Sequence, residues 1–396
     1  QAVPAQTQRV LLEIAYNLWD KPITKELLSD TSVFKDFHAG LPGTNYKATA
    51  AQYEALVEQI EQLDLVHEPQ LDYHTRPIPS LALNTILYGP PGTGKTYQTV
   101  NHALAIIEQR SLEELALEDR SELRTRFENH LQNGRIQFVS FHQSFSYEDF
   151  VEGIKPKTLE GDIYYKIEDG IFKRIAKAAE RDWEAGKRYV LIIDEINRGN
   201  IAGIFGELIT LIEADKRMAA REMLSLQLPY SKATFAVPPN LYLIGTMNTA
   251  DRNVDLLDIA LRRRFTFQEV LPQPALLRQQ AVEAGVELDK LLERINQRIH
   301  LLLSVDYCIG HAYFYDVSTL DELRDLFALK IIPLLQEYFL GDLGKVGLVL
   351  GRAFVEEVRI GNYELLADFS HESTGNLLTQ KSYQLRSKTR WTETDF

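Results

Sequence analysis

The octapeptide Gly89-Pro90-Pro91-Gly92-Thr93-Gly94-Lys95-Thr96 constrains this chain more than any other stretch of its sequence. It is a complete G-x-x-x-x-G-K-[ST] loop, preceded by the apolar run Leu83–Tyr88 and followed by the helix-compatible run Tyr97–Glu108. A strand that turns through glycines into a helix aims backbone N–H groups and a helix N-terminus at one point, which suits phosphate oxygens. Gly89, Pro90, Pro91, Gly92, Thr93, Gly94, Lys95, Thr96 and Tyr97 are therefore the candidate nucleotide-binding residues. In that role Lys95 neutralises the β- and γ-phosphates and the Thr96 hydroxyl ligates Mg²⁺. The plainer alternative, a glycine-rich turn and nothing more, leaves the full match in its strand–loop–helix setting unexplained.

Composition narrows the class further. With 45% hydrophobic and 25% charged residues in 396, the chain is neither disordered, collagen-like nor a disulfide scaffold, and it is long enough for one or two cores plus an extension. Lys and Arg number 43 against 56 Asp and Glu, a net charge of −13, so no general basic surface exists to grip nucleic acid. The single Cys308 and nine scattered His show no zinc-ligand spacing. Apolar runs fall short of the roughly 20 residues that span a bilayer, and no signal-peptide pattern opens the chain. The expectation is a cytoplasmic protein with no membrane contact. A first residue of Gln1 is read as a fragment or a processed form.

Residues 1–80 carry two helix-like segments, around Gln8–Trp19 and Ala50–Leu65, and end in the linker-like His74–Ser80. Their 6 basic and 11 acidic residues suit a DNA-binding domain poorly. Residues 81–271 alternate short apolar runs with helical stretches, the pattern of an α/β sheet. The strand candidates are Leu83–Tyr88, Ile136–Phe141, Tyr189–Ile193, Leu241–Thr246 and Phe265–Val270. Gly161–Phe172, with a turn at Glu168-Asp169-Gly170, and Met223–Val237, bent at Pro229, read as inserted hairpins. Residues 272–355 turn helical, with one stripe at Leu291, Leu292, Ile295, Ile299 and Leu302 and another at Leu323, Leu326, Phe327 and Ile331. Thr319 with Glu322 forms a capping-box signal at the start of the second stripe. Residues 356–396 read as a tail. Its Lys381, Tyr383, Arg386, Lys388, Arg390 and Trp391 are expected to be solvated, with contact to nucleic acid as the alternative.

Three further constellations accompany the loop. Tyr189–Ile193 ends in Asp194 and Glu195, acids at the carboxyl end of a strand buried on both faces, where ligands of α/β sheets sit. Asp194 is the candidate Mg²⁺ ligand and Glu195 the candidate base for an attacking water. The run Leu241–Thr246 delivers Asn248 to its end, placed to orient that water; a turn-forming cap is the alternative. Arg262, Arg263 and Arg264 cannot all share one face of an element, so at least one is available to a neighbouring molecule; a solvated basic turn is the alternative.

Phosphate loop, acidic strand end, polar sensor, arginines and a helical lid together look like an AAA+ module. The wording of Phe141–Gly153 (FHQSFSYEDFVEG), Asp194–Asn200 (DEINRGN) and Met247–Arg252 (MNTADR) resembles the McrB-like AAA+ GTPases, motor subunits of modification-dependent restriction systems. The resemblance spans roughly Leu83 to Gly351. It implies an α/β AAA+ P-loop NTPase fold: a five-stranded parallel sheet in the order 5-1-4-3-2, inserted β-hairpins and a C-terminal helical lid. It also implies a homo-hexameric or larger ring with GTP, or else ATP, between protomers, and an McrC-like nuclease subunit as partner. DNA contact would come through another domain or subunit. By position, Asn197 and Arg198 match residues that shape the catalytic interface, and Arg263 and Arg264 match arginines acting in trans. Tyr164 and Tyr165 would face the ring's channel; packing within their own hairpin is the alternative. The choice of GTP rests on the resemblance alone, because a phosphate loop does not read bases. A MoxR-like ATPase that remodels proteins and a nucleotide-gated scaffold with little turnover are the rival readings.

Overall fold

Each of the five apolar runs forms a strand of one sheet in the computed structural model, which describes residues 81–159, 162–251, 259–278, 280, 282, 285–358 and 381–396. The strands are β1 (Asn84–Gly89), β2 (Ile136–Ser140), β5 (Tyr189–Asp194), β8 (Leu241–Asn248) and β9 (Thr266–Glu269). They pair in parallel in the order β2-β5-β8-β1-β9. Counted along the chain this is 5-1-4-3-2, the expected order. Residues 1–80, which carry the two helix-like segments and the linker, lie outside the described residues.

Alternation along the central strands explains why they read as apolar throughout. Tyr189, Leu191 and Ile193 enter one core beneath the helix Ile171–Arg181, through Phe172, Ile175, Ala176 and Ala179. Val190 and Ile192 enter another, with Ala103, Ile106 and Ile107 of the helix Lys95–Glu108. A strand with helices on both faces has no polar side to show.

The hairpins differ in part from expectation. Segment 162–169 is the second strand, β4 (Asp162–Asp169), of a longer hairpin whose first strand is β3 (Glu152–Leu159). The Glu168-Asp169-Gly170 signal marks a junction into the helix Ile171–Arg181 and not a hairpin turn. Pro156 hid the first strand: proline is tolerated in a strand with a free edge but argues against one in sequence. The pairs Ile154–Ile167 and Pro156–Tyr165 share a face of this ribbon, and Ile154, Ile163, Tyr165 and Ile167 are all exposed. The second hairpin, β6 (Leu226–Gln227) and β7 (Thr234–Phe235), turns after Pro229 as expected. A buried carboxylate ties the two together. Glu152 Oε1 accepts from the Tyr230 and Ser231 N–H groups (3.0 and 2.9 Å), and its Oε2 pairs with Lys173 Nζ at 2.6 Å. Lys173 Nζ also reaches Asp169 at 2.8 Å, so the ribbon's base is closed by charge on both strands.

Beyond the sheet the chain is helical, and its core is separate. Leu288, Leu292, Ile295 and Ile299 of the helix Leu288–Leu302 pack with Leu323, Leu326, Phe327 and Ile331. Leu302, read as part of the first stripe, lies at the exposed end of that helix. The capping box forms: Thr319 Oγ1 accepts from Glu322 N–H, and Glu322 accepts from Thr319 N–H. The tail expectation needs correction. Ser382–Leu385 (β11) pairs antiparallel with Val355–Val358 (β10), and Trp391 packs tilted and Phe396 edge-on against Phe354. Trp391 is buried, and burying so large a ring outweighs the solvation of its basic neighbours. Lys381, Arg386 and Lys388 pair with Glu357, Glu356 and Asp325, and Lys381, Lys388 and Arg390 stay exposed as expected. Residues 359–380 lie outside the described residues.

Candidate active site

Strand order brings the chemistry together. Parallel pairing sets Gly89 opposite Asn248, and Asp194 ends β5, on the other side of β8. The phosphate loop, the acidic pair and the amide therefore meet at the carboxyl edge of the sheet, although more than 150 residues of sequence separate the first from the last.

Left-handed φ values at Gly92 (75°) and Gly94 (84°) let the loop turn into the helix Lys95–Glu108. Pro90 and Pro91 have no N–H to offer, so the donors available to an anion begin at Gly92. Lys95 is buried, and its Nζ donates to Gly89 O (2.9 Å) and Pro90 O (2.7 Å). Burial pulls its pKa down to about 8, against the opposing pull of Glu195, Asp251 and Asp194. Thr93 Oγ1 donates to Pro90 O at 3.0 Å and closes the loop on itself. Tyr97 is more than half exposed, with the Arg120 guanidinium 3.5 Å over its ring.

Thr96 Oγ1 lies 3.2 Å from Asp194 Oδ1. A hydroxyl and a carboxylate at the mouth of a phosphate loop form the all-oxygen donor set that suits Mg²⁺. Among the described residues no group of three or more His, Cys, Asp or Glu could hold a metal on its own. A cation bound here would share the oxygens of a bound phosphate.

Glu195 is the most constrained residue of the site. Its φ of 52° is left-handed, unusual for a side chain with a Cβ. Its N–H donates to Thr246 Oγ1 (3.1 Å), which in turn donates to Asp194 Oδ1 (2.5 Å). Asn248 Nδ2 donates to Glu195 Oε1 (2.6 Å), and Arg198 Nε lies 3.2 Å from Oε2. Burial raises the Glu195 carboxyl above the ordinary glutamate value, Arg198 pulls it back, and Asp251 and Asp194 push it up again. The arrangement fits a carboxylate kept basic and aimed.

Other sequence candidates separate into two groups. Asn197 is buried and donates from Nδ2 to Asn248 O (3.2 Å), so it supports the strand end. Arg198 is half exposed and bridges Glu195 and Asp251, the latter at 3.0 Å. Arg263 is 68% exposed, with Glu213 4.0 Å away, whereas Arg264 is 4% exposed and pairs with Glu213 at 2.7 Å. Of the two arginines that match trans-acting positions, Arg263 is therefore the exposed one and Arg264 the buried one. Arg264 is turned inward because the end of its loop is anchored: Asn84 Nδ2 donates to Arg264 O (3.0 Å), and Asn84 itself is held by the buried Arg217 (2.6 Å).

Thr246, Asp251 and the segment Ile309–Tyr313 also belong to this edge and were given no role from sequence. Thr246 had a usable signal, a hydroxyl inside an otherwise apolar strand. Ile309–Tyr313 had none, since it lies more than 200 residues beyond the loop it touches.

A family model described as the AAA domain of the dynein-related subfamily matches residues 118–265, and one described as the McrB alpha-helical lid domain matches residues 287–347. The EcoKMcrB subunit of a type IV methyl-directed restriction enzyme of Escherichia coli (strain K12) is 36% identical over 279 residues, covering 65% of this chain and 54% of that one. Component YdiS of the type II restriction enzyme BsuMI of Bacillus subtilis (strain 168) is 26% identical over 220 residues, covering 48% and 57%. The chain thus spans little more than half the length of these relatives. No described helix is long and apolar enough to cross a membrane.

Proposed function

Because this chain is an McrB-like AAA+ protein, we propose that it is a Mg²⁺-dependent nucleoside triphosphatase, using GTP in preference to ATP, that works as the ring motor of a restriction complex. The observation that supports this best is the convergence of Lys95, Thr96, Asp194, Glu195 and Asn248 at one sheet edge, with Glu195 held on both carboxylate oxygens. Residues 81–271 are the nucleotide-binding core and 272–355 the lid in this reading.

The chain's own groups divide the work. N–H groups from Gly92 onward and Lys95 Nζ bind the phosphates, and Lys95 exchanges its two carbonyl partners for phosphate oxygens. Thr96 and Asp194 are the residues that would hold Mg²⁺, which when bound would supply positive charge beside the transferring phosphoryl group. Asn248 Nδ2 fixes Glu195 Oε1 so that Glu195 accepts the proton of the water whose oxygen attacks the γ-phosphorus, while the bond from that phosphorus to the β–γ bridging oxygen breaks and its electron pair leaves on the nucleoside diphosphate. Arg263 reaches the site of an adjacent protomer and stabilises the transferring phosphoryl group there. An McrC-like nuclease would be the partner that uses the motion, with DNA held by another domain or subunit.

Steady-state hydrolysis of GTP and ATP, side by side with Mg²⁺ and with oligomer mass read in the same samples, tests the proposal. GTP-selective turnover by a hexamer or larger ring is the expected result. ATP-selective turnover would move the chain to a MoxR-like remodelling role, and a stable ring with negligible turnover would make it a nucleotide-gated scaffold. The trans role has its own test. An Arg263→Ala protomer and a Glu195→Gln protomer, each inactive alone, should recover activity on mixing, because some interfaces then pair an intact Glu195 with an intact Arg263. Recovery at no mixing ratio would remove Arg263 from the neighbour's site.

A further inference from the structure

The lid touches the phosphate loop from behind, through backbone. Gly310 N–H donates to Pro91 O and Ala312 N–H donates to Gly92 O, both at 3.0 Å. The approach is closer than any side chain would permit: a Cβ on Gly310 would lie 1.9 Å from the Gly92 carbonyl carbon, and one on Gly92 would lie 2.6 Å from the Tyr313 ring. A second tie runs through Thr249, whose N–H donates to Gly89 O and whose Oγ1 donates to Asp306 O, both at 3.1 Å. His311 is buried, and its Nδ1 accepts from Gln273 N–H (3.1 Å), which fixes the turn carrying both donors.

A trans peptide carries its C=O and N–H on opposite sides. A donor that holds the Pro91 carbonyl therefore turns the Gly92 N–H the other way, and a donor on the Gly92 carbonyl does the same for Thr93 N–H. We infer that Gly310 and Ala312 are positioning residues for triphosphate binding: their N–H groups grip the carbonyl side of the phosphate loop and so aim its N–H side at the phosphates. The inference rests on the nucleotide-binding reading above and adds to it a lid whose grip and the nucleotide's grip strengthen one another. Hydrogen bonds to the two ends of one peptide polarise it cooperatively. By linkage, whatever the docked lid adds to phosphate affinity, the phosphate returns to lid docking.

The test uses the full chain and Ala312→Pro, which deletes one donor and places the ring Cδ where the proton was, with Ala312→Gly as the conservative partner that keeps the N–H. Binding of slowly hydrolysed GTP and ATP analogues is titrated, and melting is recorded without nucleotide. Ala312→Pro is expected to bind about tenfold more weakly, in line with the loss of one hydrogen bond, and Ala312→Gly to bind like the parent chain. On the parent chain, amide exchange across 308–314 should slow on saturation with analogue, a readout that does not depend on a variant folding. A folded Ala312→Pro with parental affinity overturns the inference, as does unchanged exchange at saturation. A parent chain that binds neither analogue overturns the nucleotide reading itself, and this inference with it.

Discussion

Glu195→Gln leaves triphosphate binding intact and stops hydrolysis. The amide keeps the shape, its oxygen can still accept from Asn248 and the backbone bond to Thr246 is untouched, but it has no lone pair basic enough to take a proton from water. A positioned general base contributes about 10²- to 10⁴-fold, so kcat should fall by that order while the Kd for a slowly hydrolysed analogue changes little. Single-turnover hydrolysis beside analogue titration separates the two, and unchanged turnover would remove Glu195 from the mechanism. The parent enzyme should also show an acid limb. Burial raises the Glu195 carboxyl, so as pH falls the base is lost at a higher pH than an ordinary glutamate would set. In kcat against pH, a limb at the ordinary glutamate value or below would contradict the environment described.

Lys95→Ala is the second large effect, and it acts on binding. Lys95 is buried and, among the described residues, donates to two carbonyls, so its charge is poised for phosphate oxygens. Its loss should weaken triphosphate affinity about a hundredfold or more, ~3 kcal/mol, the upper range for a charge-assisted hydrogen bond. Near-parental affinity would sink the phosphate-loop assignment. The same residue predicts a pH dependence of opposite sense. With a pKa of about 8 in the free protein, Lys95 is increasingly neutral as pH rises above that value. A triphosphate beside it raises the pKa, so binding takes up protons there and affinity falls as pH rises. Calorimetry in buffers of different ionisation enthalpy at about pH 9 should register uptake approaching one proton in the parent chain. Lys95→Ala, at concentrations that still load it, should show none from this source.

Legibility followed locality. The phosphate loop is eight consecutive residues between a strand and a helix, and the acidic pair directly ends an apolar run, so neither needs a tertiary contact to be seen. The Thr319–Glu322 capping box is local in the same way. The sequence reading failed where a local rule met a tertiary exception. Pro156 argues against a strand, yet β3 forms because its partner β4 supplies the register and the buried Glu152–Lys173 pair closes the base. The basic and aromatic tail reads as solvated, yet Trp391 finds an aromatic pocket. Arg263 and Arg264 are indistinguishable as letters. Asn84 and Glu213, respectively 180 and 51 residues before Arg264, turn one inward and leave the other exposed.

By itself, then, the sequence determined the five strands of the sheet, the phosphate-loop turn and the acids at a strand end, because periodicity and glycine chemistry act over a few residues. Tertiary structure alone decided that Asn248 meets Glu195, that Asn197 supports the strand end, that Arg264 turns inward while Arg263 stays exposed, and that Gly310 and Ala312 grip the phosphate loop. Those outcomes depend on strand order and on backbone groups shared across long separations. A carbonyl or an N–H is the same in nearly every residue, so its partner leaves no mark in the sequence.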